Sequence, residues 1–237
     1  MAAPCYPKRS ESNRKLRKNS RPGSRRTQPT ANSHFNVHNK AERQMNGSLI
    51  AVGASGPAGL EDLCLLLTSL PIGLAASVLI VLHRPPDQQS CLLEVLGRRS
   101  KMPVSIATSA EKLLPGVVYI GEPGAHLTVL ESGVSHLVSH QKGIHRNRTV
   151  DLLFQSLADS GHPRIIGVVL SGSLDDGSRG LATIHHAGGY TMALGPKDSR
   201  QVGMPENAIR FDGPVNVVGS IEEIAWHIRR LCSSVPQ

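Results

Sequence analysis

Residues 48–69, SLIAVGASGPAGLEDLCLLLTS, restrict the fold more than any other stretch of the chain. The apolar run at 49–52 is too short for a helix and reads as a buried strand. It gives way to Gly53, Ser55, Gly56 and Gly59, after which leucines resume at helical spacing to about residue 69. A strand entering a helix through such a turn lifts the Ser55 hydroxyl to the carboxyl end of a sheet. It also aims helix N-terminal N–H groups, which lack intrahelical partners, at whatever binds there. Open α/β sheets keep their sites along that edge.

The rest of the chain repeats this alternation. Residues 77–82 form a run that is apolar after Ser77 and rich in Val, Ile and Leu, as in a parallel strand covered on both faces, and it ends at His83 before Pro85 and Pro86. A helix is expected near 90–97, short strands at 104–107 and 117–121, and an antiparallel hairpin from 126–131 and 134–139 around Ser132–Gly133. Residues 141–149 make a basic loop; Thr149 then suits the N-cap of a helix over 150–160. A second strongly buried strand at 164–170 runs into SGSLDDGSRGL and a helix through Ala187. Strands at 190–194 and 215–218, a helical turn after Met204–Pro205, and an amphipathic last helix at 221–231 complete the pattern, with Trp226 expected as that helix's core anchor. Together these predict an α/β fold: a doubly wound, mainly parallel sheet with helices on both faces and one antiparallel hairpin insert.

Charge divides the chain in two. Residues 1–47 carry eleven Lys and Arg against two Glu, while all 237 residues together are only +8, so residues 48–237 are close to neutral. The high pI therefore belongs to a polar, aperiodic tail that is expected to be disordered, with a charge suited to a nucleic-acid arm or to an anchor on an acidic partner or anionic lipid. No dedicated nucleic-acid site is expected in the body. With no apolar stretch behind the basic residues and no long apolar run elsewhere, a cytoplasmic protein is expected. Four scattered cysteines without a CxxC pair fit reduced thiols, with Cys64 and Cys91 as core filler among leucines. The histidines show no metal-ligand spacing, and His185–His186 are helix neighbours that face different ways.

Three strand ends carry groups with complementary chemistry. Ser55, His83 and Asp176 (or Asp175) each follow a strand that reads as central, and in a parallel sheet those ends share one edge. A serine hydroxyl becomes a useful nucleophile when imidazole takes its proton and a carboxylate fixes the imidazole tautomer. The N–H of Gly56 is placed to meet an oxyanion. The competing reading is a dinucleotide fingerprint in GASGPAG, but that motif wants an acidic residue after the second strand, where this chain has His83–Arg84.

Taken in order, the segments resemble the catalytic domain of the chemotaxis receptor methylesterases, the CheB family. IAVGAS is similar to the family's strand and Gly-Ala-Ser turn, VLHRPP to its strand ending in His-x-Pro-Pro, and VVLSGSLDDGSRGL to its Asp-Gly loop. LLPGVVYIGEPGAHLTV, TVDLLFQSLA, HHAGGYTMA and VGMPENAI follow in family order, so the resemblance covers roughly residues 48–231. It implies Ser55 as nucleophile, His83 as general base and Asp176 as orienting acid, with Asp175 on a variable position. Gly56 and Ser173 fall on the oxyanion side, and Arg146, Arg148 and Met204 are substrate-contact candidates.

The resemblance further implies hydrolysis of γ-glutamyl methyl esters on the cytoplasmic helices of methylated chemoreceptors, and deamidation of receptor glutamines through the same acyl-enzyme, with no metal or cofactor. A weakly active or inactive homologue that binds receptor helices is the alternative. Two departures bear on it: Ser55 is followed by Gly56–Pro57–Ala58–Gly59, one residue longer than the family's turn, and Gly172–Ser173–Leu174 stands where the family has Gly-Met-Gly. The polar first forty-seven residues do not match the receiver domain that family members often carry, so an esterase not gated by phosphorylation in cis is expected.

Overall fold

The structure is a computed structural model that describes residues 47–83, 91–121, 124–139, 148–199 and 203–233. The tail predicted for 1–47 lies almost wholly outside these residues.

Seven parallel strands form the central sheet: β1 (Ser48–Ser55), β2 (Ala76–His83), β3 (Val104–Ile106), β4 (Val118–Ile120), β7 (Ile165–Val169), β8 (Tyr190–Leu194) and β9 (Val217–Gly219), in the order β3-β4-β2-β1-β7-β8-β9. The expected insert is a separate antiparallel pair, β5 (Ala125–Leu130) and β6 (Val134–Ser139), joined by a 3-10 turn at Glu131–Gly133. The helices are α1 (Gly56–Ser69), α2 (Leu92–Arg99), α3 (Thr149–Asp159), α4 (Ser178–His186), α5 (Met204–Arg210) and α6 (Ile221–Cys232). After β1 the chain moves to one side, to β2; with β7 it returns to the other side of β1. This reversal is the topological switch point, where α/β sheets form their crevice.

Strand side chains alternate between two cores. Ile50, Val52, Val78, Ile80 and Val168 face α1, α2 and α6, meeting Leu63, Leu66, Leu96, Ile224 and Ile228. Leu49, Ala51, Leu79, Val81 and Val169 face the other way, against Val150, Leu153 and Phe154 of α3 and Leu181 and Ile184 of α4. This two-sided burial is why the central strands read as continuous apolar runs. Gly53 belongs to the second face and passes directly beneath α3: a Cβ there would lie 2.1 Å from Val150 Cγ1. Only glycine admits this approach of helix to strand.

The sequence reading needs correcting at two positions, Trp226 and Cys91. Trp226 is 47 % exposed, because the buried stripe of α6 runs through Ile221, Ile224, Ala225, Ile228 and Cys232. It lies off that stripe, beneath the Arg230 guanidinium at 5.3 Å from the ring centre. Cys91 is exposed and does not fill the core, whereas the half-buried Cys64 packs against the first of the two cores.

Candidate active site

Ser55 and His83 are the last residues of β1 and β2, and they stand opposite one another in the parallel register. Residues of equal parity along a strand point to one face. Ser55 has the parity of Leu49 and Ala51, and His83 that of Leu79 and Val81, so both belong to the face covered by α3 and α4. Ser55 is 9 % exposed and its hydroxyl does not cap α1, although the residue occupies the N-cap position. His83 is half-buried.

The loop after β7 closes over the serine from the third side. Ser55 N donates to Ser171 O at 3.0 Å. Ser171 N in turn donates to Asp62 Oδ2 at 3.1 Å, from a buried carboxylate on α1. Gly172 lies so near that a Cβ there would be 2.7 Å from Ser55 Cβ and 2.2 Å from Met204 Sδ. Met204 is fully buried and suits a support behind Ser55 rather than a surface that meets substrate. Ser173, next in the loop, is exposed. Gly56 adopts φ 68° with open space where a side chain would stand.

Asp176 is 5 % exposed and sits at the N-terminus of α3. Its Oδ2 accepts from Val150 N at 3.0 Å and its Oδ1 from Asp151 N at 2.9 Å, with Thr149 Oγ1 at 3.4 Å. Thr149, expected as the cap of this helix, is instead its first residue, and the cap arrives from a loop 26 positions away. Burial pushes the Asp176 carboxyl up to about 6; the N–H donors from Asp151 and Val150 oppose this, Asp151's own charge adds to it, and His83 lowers it. The last contribution puts His83 within electrostatic reach of Asp176. No hydrogen bond joins Ser55, His83 and Asp176 directly among the described residues. Each Asp176 oxygen retains a lone pair beyond its backbone contact, enough to receive an imidazole N–H.

Arg148 is committed locally, with Nη1 3.1 Å from Asp151 Oδ2 and Nη2 3.7 Å from Asp175 Oδ2. Arg146 lies outside the described residues. Three contributors escaped the sequence reading: Asp62, Asp151 and Gly172. The signal for the first two was a carboxylate set against the apolar face of its own helix, at Asp62 beside Leu63 and Asp151 beside Val150. Among the described residues, no group of three or more His, Cys, Asp or Glu gathers as a metal ion requires, and no helix is long and apolar enough to cross a membrane.

Known proteins are similar to this chain in sequence and fold. The family model described as CheB methylesterase matches residues 50–228. The protein-glutamate methylesterase/protein-glutamine glutaminase of Yersinia pestis is 35 % identical over 189 residues, 78 % of this chain and 53 % of the relative. The Salmonella typhimurium protein of the same name is 34 % identical over 173 residues, 72 % of this chain and 49 % of its own length. The chain thus spans about half the length of the curated relatives it matches. The crystal structure of the Thermotoga maritima CheB methylesterase catalytic domain superposes with a TM-score of 0.69 at 26 % identity, over 78 % of this chain and 98 % of that one. The strand order, the serine turn at the switch point and these likenesses lead to one conclusion: the chain belongs to the CheB methylesterase family.

Proposed function

We propose that this chain is a serine hydrolase that removes methyl esters from glutamate side chains of chemoreceptor helices, and deamidates glutamines at such positions by the same route. The observation that carries the reading is the register pairing of Ser55 with His83 on the face where the buried carboxylate of Asp176 lies.

Ser55 Oγ attacks the side-chain carbonyl carbon while His83 takes its proton, and the Asp176 carboxylate stabilises the imidazolium that forms. The oxygen of the tetrahedral intermediate, now negative, is met by backbone N–H groups at the Gly56 turn and on the Ser173 side. The carbon–oxygen bond to the methoxy group breaks, His83 returns the proton, and methanol leaves; from glutamine, ammonia leaves instead. Water then attacks the acyl-serine with His83 as base, and free glutamate and Ser55 are restored. The register supports the first step in particular, because neighbouring strands hold hydroxyl and imidazole without relying on loop order.

Methanol release from a methylated receptor fragment tests the reading. Wild type is expected to release methanol, Ser55→Ala to release none, and a fluorophosphonate probe to label Ser55 in wild type but not in His83→Ala. Tight binding of the receptor fragment with neither methanol release nor labelling would make the chain a binding module instead.

A further inference from the structure

The loop between β7 and α4 contains a conformational outlier that a triad alone leaves without a reason. Leu174 has φ 70°, in the left-handed region. There an L side chain costs roughly 1–2 kcal/mol and glycine nothing comparable. The Leu174 side chain is 63 % exposed, so little burial within the chain offsets that cost. The backbone is fixed by α5: Asn207 Nδ2 donates to Leu174 O at 2.7 Å, and Met204 N donates to Gly172 O at 2.9 Å. Gly203 presses on the same turn, where a Cβ would meet Gly172 O at 2.5 Å and Leu174 N at 3.1 Å.

The placement of this leucine is specific. Two residues before it, Gly172 touches Ser55; two residues after it, Asp176 caps α3. A loop needed only to deliver Asp176 would take glycine or asparagine at this φ with less strain. Strain over-determined by its surroundings at the rim of a site points to function. An exposed branched aliphatic group points to apolar contact with something outside the chain.

Resting on the esterase reading above, we propose that Leu174 is a specificity-determining residue. It packs on the aliphatic flank of the substrate helix, beside the glutamyl ester held at Ser55, and so favours esters on folded helices over small soluble ones.

Methanol release decides this, measured on a methylated receptor-helix fragment and on a glutamate γ-methyl ester blocked at both ends. The enzymes are the full chain and its Leu174→Gly, Leu174→Asn and Leu174→Met variants. Gly and Asn both accept the left-handed backbone, so they remove the side chain without disturbing the loop. The ratio of kcat/KM for the helical to the small substrate is expected to fall about tenfold in both, mainly through KM, and to recover in Leu174→Met. An unchanged ratio, whether both substrates slow or neither does, overturns the proposal. If wild type releases methanol from neither substrate, the esterase reading fails separately. Binding of the methylated fragment then decides the role of Leu174: weaker binding to Leu174→Gly supports it, and equal binding overturns it.

Discussion

Asp151 and Asp176 cap each other's helices. Asp176 accepts the N–H groups of Val150 and Asp151 at the start of α3, while Asp151 Oδ1 accepts those of Gly177 at 3.0 Å and Gly180 at 2.8 Å, at the start of α4. Each carboxylate answers orphan donors at the other's helix N-terminus, where negative charge is favoured. The candidate acid of the triad is thereby locked to the sheet face that bears Ser55 and His83, with Arg148 neutralising part of the paired charge.

Asp151 should therefore act as a positioning residue for Asp176. In Asp151→Ala the buried N–H groups of Gly177 and Gly180 lose their acceptor, at a cost of about 2–4 kcal/mol in stability. A loss of more than tenfold in kcat is expected, with KM changing little. Asp151→Asn keeps an acceptor oxygen for the two glycines and should recover most of the stability. Urea unfolding and methanol-release kinetics measure the two effects. An Asp151→Ala enzyme with wild-type kcat would show that Asp176 needs no such anchor.

The raised Asp176 carboxyl separates activity from stability. Its folded value of about 6 exceeds the 3.8 of an ordinary aspartate, so between those values the native state holds the proton more tightly than the unfolded chain. That contribution is complete below about pH 4 and is lost as pH rises through about 6, on the order of 3 kcal/mol. In the proposed mechanism catalysis runs the other way, because only the ionised carboxylate stabilises an imidazolium. Between pH 5 and 7, kcat/KM should rise while the Tm of wild type falls relative to that of Asp176→Asn, which does not titrate. A Tm difference that stays flat over this range would contradict the buried, proton-retaining environment assigned to Asp176.

The sheet and the placing of Ser55 and His83 at neighbouring strand ends were legible because both follow from local rules. Apolar runs of four to six residues leading to Ser55, His83 and the Asp-Asp-Gly loop put chemistry at strand ends, and a parallel sheet puts those ends together. Relations made across space were not legible. Nothing local to Asp176 indicates that it caps a helix beginning 27 residues earlier, or that Ser171 N finds Asp62 on α1. Trp226 was misjudged because aromatic bulk outweighed position: the 3.6-residue stripe set by Ile221, Ile224 and Ile228 passes it by.

Gly172 should tolerate no side chain. The contacts of 2.7 Å to Ser55 Cβ and 2.9 Å to Ser55 N are with atoms fixed by β1, unlike the flexible Met204 sulfur. Gly172→Ala must push the serine or the loop aside, and a shift near 1 Å costs on the order of a hundredfold in rate. Probe labelling of Ser55 should slow by that order. Adding Met204→Ala should recover little, because it relieves only the sulfur contact. Wild-type labelling in Gly172→Ala would place the loop further from Ser55 than these distances allow.

Trp226 and Ile224, two positions apart on α6, should respond oppositely to their sizes. Ile224 is fully buried against the sheet, so Ile224→Ala removes packed volume and leaves a cavity, costing about 2–5 kcal/mol. Trp226 is the larger side chain, but it is half exposed and engages Arg230 and His227 on its own helix. An exposed cation–π pair contributes about 0.5–1 kcal/mol, and Trp226→Ala should cost little more than that. Chemical denaturation of the two variants compares them directly. If the tryptophan variant proved the less stable, its ring would have to be buried by something beyond the residues that contact it here, since neither its exposure nor its partners account for a larger loss.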